Sequence, residues 1–298
     1  MSNANNKKGY ITGLLCYFVW GLLPIYWNLL SGVNPLLILC CRIIFAFLIL
    51  YCLQWATGRL HVFRGTLKNK QVMKYLIPAS VLVTFNWGLF IWAVNTGHIL
   101  DSSLGYYMNP LIAFSLGVLV LREGYSRLQL VAVGLALTGV IISVVAYGSF
   151  PIISISLATT FAVYGVLKKK ACADPIAGIA VESLLMTPFA IIFALVFLGG
   201  SIRSAGIPEL LLLAGGGIAT ATPLVMYSSA VNKIPFITIS FFQYISPSMT
   251  LIYGLLTGET LSSSQLVSFV FIGLGLIVFT IAVVRKTRAA EPKEREQC

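Results

Sequence analysis

Apolar residues gather in ten stretches along the chain, at roughly 9–29, 35–56, 72–95, 99–121, 128–147, 150–167, 176–199, 209–230, 236–257 and 265–284. Short polar connections separate them. A bilayer core takes about 20 apolar residues per helix, so the pattern predicts ten transmembrane helices. The segment from Thr84 to Glu123 interrupts its own apolar character most often. It carries Asn86, Asn95, His98, Asp101 and Asn109 among Trp87, Trp92, Tyr106 and Tyr107, and two apolar runs meet there at a polar hinge. Asn109-Pro110 is expected to break the second run. Polar groups at membrane depth are costly and usually functional.

The same pattern returns in the second half of the chain. Ala93-Val94-Asn95 recurs as Ala230-Val231-Asn232, Tyr107 as Tyr244 and Asn109-Pro110 as Ser246-Pro247, all at an offset of 137, and Gln129-Leu130-Val131 recurs as Gln265-Leu266-Val267 at 136. Asn34-Pro35 answers Asp174-Pro175 at 140, and Trp20-Gly21 answers Tyr164-Gly165 at 144. An offset that drifts only as loops change length is the mark of a duplication. Each copy holds five predicted spans, an odd number, so the second copy enters the membrane from the opposite side. The expected fold is therefore an all-α membrane protein of ten transmembrane helices in two inverted five-helix repeats, residues 9–147 and 148–285, with tails at 1–8 and 286–298. Inverted repeats with a site at their interface are a common design of secondary transporters.

Composition narrows the class. The 298 residues are 58% hydrophobic and only 10% charged, with a mean hydropathy of +0.92, whereas soluble domains average about 25% charged residues. A net charge of +11 would suit a nucleic-acid binder, yet 18 of the 20 Lys and Arg residues fall in alternate connections and the two tails. That is the positive-inside distribution, and it predicts cytoplasmic termini and no nucleic-acid partner. The exceptions are Arg42, within a span, and Arg203, in an outer connection. Lys7 and Lys8 precede a first run too long for a signal peptide and lacking a small-residue cleavage site. Cys16, Cys40, Cys41 and Cys52 lie in spans, and Cys172 and Cys298 face the cytosol, so no disulfide framework is expected.

Several residues are candidates for a solute site. Pro110 and Pro247 lie ten or eleven residues into the fourth and ninth spans, near the bilayer centre. Each frees a backbone carbonyl, which at that depth is tolerated only where protein or water satisfies it. Rings crowd the same spans: Trp20, Trp87, Tyr106, Tyr107, Tyr164, Phe241, Phe242 and Tyr244 offer faces to a flat or cationic ligand, while Trp27 and Trp55 read as interfacial belt residues. Gly13, Gly21, Gly134, Gly139, Gly215 to Gly217, Gly254, Gly258, Gly273 and Gly275 suit close helix contact. Arg42 and Glu182 each stand seven residues beyond the paired prolines 35 and 175. Three roles stay open for them: Arg42 holding an anionic substrate group, Glu182 carrying a coupling proton, or both serving structure, with Arg42 available as partner to Glu182. Motifs for nucleotide hydrolysis, serine hydrolysis and zinc peptidase chemistry are absent, which leaves no enzyme, no cofactor and no metal site, and energy from an ion gradient or none.

The runs GLLCYFVWGLLPIYW (13–27), WGLFIWAVNTGHILDSSLGYYMNPL (87–111) and FFQYISP (241–247) resemble those of RarD-type permeases, in the EamA group of the drug/metabolite transporter superfamily. The likeness extends from Gly9 to Arg285. It implies ten helices in two inverted halves, an inner-membrane location, and transport, generally export, of a small-molecule solute across the lipid bilayer. The central cavity it implies is built largely from spans 1, 3, 4, 6, 8 and 9. That places Trp20, Trp87, Asn95, Tyr107, Tyr164, Gln243 and Tyr244 on the wall, with Tyr106 and Asn109 beside them, and leaves spans 2 and 7 outside. The leading expectation is an exporter of amino-acid-like or amphipathic metabolites. A broad drug-efflux permease and a non-transporting receptor or lipid scramblase are the alternatives, and protons are a candidate coupling ion.

Overall fold

The computed structural model describes residues 2–148, 150–256 and 263–295, and these contain helices only. In chain order they are α1 (Ser2–Asn28), α2 (Pro35–Ala56), α3 (Leu60–Lys68), α4 (Lys70–Asn95), α5 (Ile99–Leu119), α6 (Arg127–Tyr147), α7 (Ile152–Ala171), α8 (Pro175–Phe197), α9 (Gly199–Ser204), α10 (Ile207–Lys233), α11 (Phe236–Phe242), α12 (Ile245–Leu256) and α13 (Ser263–Arg295). Eight of them are long and apolar enough to cross a membrane: α1, α2, α4, α6, α7, α8, α10 and α13. The fourth apolar stretch is occupied by α5 and the ninth by α11 and α12. Ser149, Gly258, Glu259 and Cys298 lie outside the described residues.

Local chemistry explains the helix starts. Asn34 accepts a hydrogen bond from the Leu36 amide (2.9 Å), with Pro35 as the first helical residue of α2. Asp174 does the same at α8, accepting from Ile176 (3.2 Å) and Ala177 (3.0 Å), with Pro175 first. A short polar cap followed by proline suits a helix entry, because the capping oxygen satisfies an orphan amide and proline has none to lose. Ser126 and Gln129 close a reciprocal capping box at α6 (3.2 and 2.8 Å). Glu123 grips the start of α11 with both carboxylate oxygens, on the amides of Phe236 (2.7 Å) and Ile237 (2.9 Å).

Two helix breaks differ from expectation. α5 runs unbroken through Pro110. Pro110 and Asn109 are buried, and the Asn109 amide donates to the Ala158 carbonyl of α7 (2.6 Å), so neighbouring helices hold the interrupted ladder in place. In the ninth stretch the backbone yields at Gln243-Tyr244, where it tightens into i to i−3 bonds, and Pro247 falls in the first turn of α12. A proline there loses nothing, since first-turn amides lack an intrahelical partner.

Packing forms a single bundle. α6 lies along α13, α2 along α8 and α10, α7 along α4 and α5, and α1 along α10 and α12. Glycine sets two of these approaches. A Cβ on Gly139 of α6 would come within 2.7 Å of the Ser268 carbonyl of α13, and one on Gly275 within 2.9 Å of the Ala132 carbonyl of α6. A Cβ on Gly217 of α10 would meet the Phe45 backbone at 2.6 Å. Gly134 and Gly273 face open space instead, so not every expected contact glycine is one. The cysteines at 16, 40, 41, 52 and 172 are free thiols. Leu29, Trp55, Phe193, Leu195, Val196 and Phe197 lie on the outer surface of the bundle with their apolar side chains exposed, as lipid contact requires.

Candidate functional site

A narrow cavity opens between α2, α4, α8 and α10. Ile43 and Ala46 come from α2, Val83, Thr84 and Trp87 from α4, Ile179, Glu182, Ser183 and Met186 from α8, and Thr220 and Leu224 from α10. About 20 Å³ of it admits the centre of a water molecule. One water centre needs roughly 10–15 Å³, so this conformation has room for a water or two. Its lining follows the repeat. Ile43 and Ser183, and Ala46 and Met186, are each separated by 140 residues, while Val83 and Thr220, and Trp87 and Leu224, are each separated by 137.

The two intramembrane charges flank this cavity, and they do not pair with each other. Glu182 accepts from Lys168 Nζ at 2.5 Å and from the Tyr164 hydroxyl at 3.2 Å. All three groups are buried. Lys168, read from sequence as a cytosolic connection residue, sits on the last turn of α7 and turns inward to face Glu182 across the α7–α8 pair. Tyr164 in turn stacks on Tyr227 at 6.1 Å with rings 14° apart.

Arg42 has aromatic partners instead. Its guanidinium carbon lies 3.9 Å from the Trp87 ring centroid and 5.2 Å from that of Trp27, and its Nε donates to Thr220 Oγ1 at 3.1 Å. Trp27 is thus a partner of this partly buried cation as well as a residue near a span end. Tyr106 stands within electrostatic reach of the same guanidinium and keeps 44% of its surface open. Among the described residues no carboxylate lies within ion-pair distance of Arg42.

The remaining predicted residues are placed elsewhere. Trp20 packs half-buried against Tyr17, Phe161 and Tyr227, the last of which stacks on Tyr164. Asn95 is exposed at the end of α4, its amide turned back to the Ile91 carbonyl (2.7 Å). Tyr107 meets Phe269 edge-on, Tyr244 donates to the Tyr107 carbonyl (3.1 Å), and Gln243 is buried between α11 and α12. Asn109 ties α5 to α7, and Asn86 ties α4 to α7, donating to the Leu157 carbonyl and to Thr160 Oγ1, both at 2.8 Å. The rings at 107 and 244 therefore join the α5–α13 packing, while spans 2 and 7, expected outside the site, supply six of its eleven lining residues.

A helical bundle with lipid-compatible surfaces, a central cavity and buried charges beside it is a multi-pass membrane protein, and no cluster of metal-ligating side chains occurs among its described residues. The chain belongs to the EamA-like transporter family, whose profile matches it twice, over residues 7–145 and 150–281, and within that family it is a RarD-type permease. It is 39% identical over 300 residues to the uncharacterized transporter YojE of Bacillus subtilis (strain 168), covering 98% of this chain and 99% of that one. Protein RarD of Escherichia coli (strain K12) is 33% identical over 292 residues, covering 97% and 99%. A solved crystal structure of a protein only 14% identical superposes with a TM-score of 0.71 over 96% of this chain and 99% of that chain, a likeness of fold. The protein is accordingly a membrane transporter, and the family gives no ground for an enzyme.

Proposed function

We propose that this chain is a secondary transporter of small organic solutes, exporting amphipathic or amino-acid-like metabolites across the bacterial inner membrane by alternating access. In this reading ten spans form two inverted five-helix halves, residues 9–147 and 148–285, and both termini are cytosolic. One observation carries it: the cavity is lined by residue pairs that the duplication makes equivalent. A site on the axis relating two inverted halves is the geometry from which rocking of one half on the other exposes it to either side.

The polar ties between helices favour one state of that cycle. Lys169 donates to the Val231 and Ile234 carbonyls (2.7 Å each), Arg59 pairs with Asp174 (2.7 Å), and Asn232 donates to the Ala173 carbonyl (2.9 Å). These join the ends of α7, α8 and α10 that the lysine-rich connections assign to the cytosol. Ala177 to Glu182 of α8 are buried on every side of the helix beside them, while most of Phe189 to Phe197 is exposed. The inner end is closed and the narrow cavity lies beyond it. Broad efflux of organic cations fits less well, because Glu182, the carboxylate lining the cavity, is already neutralised by Lys168.

Saturable uptake of a soluble solute by proteoliposomes of the purified chain is the deciding experiment, with a metabolite panel as probe. A receptor or scramblase would show none. Reporter fusions at Lys68, Lys169 and Lys233 are expected on the inner side and at Arg203 on the outer. An inner signal at Arg203 refutes the inversion.

A further inference from the structure

Arg42 is half-satisfied in a way that specifies a ligand. Its guanidinium lies over the rings of Trp87 and Trp27, and its Nε is used by Thr220. The terminal edge, with Nη1 and Nη2, engages no hydrogen bond or ion pair among the described residues. An ionised group inside a membrane is ordinarily paired with an opposite charge or with backbone, and Glu182, the nearest acid by sequence position, is committed to Lys168 at 2.5 Å. The free edge is two parallel N–H donors, the arrangement that fits a carboxylate bidentately. Trp87 and Thr220, the two side chains that hold Arg42, both line the cavity, whose other walls include Ile43, Val83, Ile179 and Leu224.

Resting on the transporter reading above, we propose that Arg42 is the anion anchor of the solute site: it receives the carboxylate of an amphipathic organic acid whose apolar part enters the α2–α4–α8–α10 cavity in a wider state of the transport cycle than this one. Aromatic rings beside the guanidinium restrict approach to its edge, and the low-dielectric surroundings of the bundle strengthen a charge-assisted bond there. They also disfavour a bulky polyanion, which would need several donors. An α-amino group on the solute is not required, because the only carboxylate of the cavity wall already has its cation. The ligand class is therefore a monocarboxylate, and amino acids are accepted through the carboxylate alone.

The test compares each acid with its primary amide, which keeps the shape and removes the charge. Purified full-length protein in detergent is titrated with 4-methylpentanoate, 3-phenylpropionate and L-phenylalanine and with the three matching amides, and thermal unfolding is followed. A ligand that binds only the folded state raises the midpoint. The expected result is stabilisation by at least one acid with its amide weaker by about tenfold or more in affinity, and loss of that acid-over-amide preference in Arg42→Gln. Arg42→Lys keeps charge without the fork, and is expected to retain part of it. Should Arg42→Gln not fold, Trp87→Leu, which strips one face of the guanidinium, is expected to reduce the preference. Equal response to acid and amide in the unmodified protein, no response to any acid, or an undiminished preference in Arg42→Gln overturns the anion anchor. Proteoliposome uptake of neutral solutes alone would leave transport standing and the anchor refuted, whereas no uptake of any solute removes the transporter reading itself.

Discussion

Deleting one member of the Lys168–Glu182 pair is expected to cost far more than deleting both. The charged atoms are 2.5 Å apart, and the side chains are only 1% and 5% exposed. At an effective dielectric of about 20, two unit charges at that separation attract by roughly 6–7 kcal/mol. Desolvating the ions costs several kcal/mol each, so the pair as a whole contributes little net. Removing one partner leaves the desolvation of the other uncompensated: in Lys168→Met the Glu182 carboxylate keeps only the Tyr164 hydroxyl, at 3.2 Å. Each single substitution, Lys168→Met or Glu182→Leu, is expected to cost about 3–5 kcal/mol, and the double variant to fall within about 1 kcal/mol of the parent. Equilibrium unfolding in mixed dodecyl maltoside and SDS micelles, read by far-ultraviolet circular dichroism at neutral pH, closes the cycle. Single costs below about 1 kcal/mol that simply add in the double variant would show that the two groups are not a buried pair, and that reasoning would fail.

Three further outcomes are expected on the same assay. Gly139→Ala and Gly217→Ala each force a Cβ to within 2.7 Å of a neighbouring backbone atom and are expected to cost about 1–3 kcal/mol, while Gly134→Ala, in open space, is expected to be neutral or slightly stabilising. Asn86→Leu and Asn109→Leu each remove interhelical bonds to α7 and are expected to cost about 0.6–1.7 kcal/mol, with no change in reporter topology. Glu123→Ala leaves the Phe236 and Ile237 amides without their shared carboxylate, and a loss of about 0.5–2 kcal/mol is expected, with Glu123→Asp intermediate.

Residue spacing alone determined much of this protein. Helices are compulsory where a chain this apolar must satisfy its own backbone away from water, so the apolar runs mark them, and the Asn34-Pro35 and Asp174-Pro175 entries were legible because capping is decided within three residues. The duplication was legible for the same reason, as an offset between motifs. Arg42 and Glu182 stood out as charges in apolar runs. What only the tertiary structure decided is which neighbours each group meets. Lys168 belongs by sequence to a basic connection, yet the turn of α7 carries it inward to Glu182, and nothing local distinguishes it from Lys169 or Lys170. Pro110 looked like a break, but α7 supports the helix through Asn109, a contact 49 residues distant. Of the wall residues expected from sequence, Trp87 lines the cavity seen here, while Tyr107 meets Phe269 of α13 and Tyr244 reaches the Tyr107 carbonyl; the close approach of α2 and α8 to each other and to α10 is what brings those two helices to the cavity. Helix order in a membrane is set by such side-chain fit rather than by hydrophobicity, since lipid is as apolar as the helices themselves; a hydropathy pattern therefore shows where helices are and leaves open which of them surround the solute.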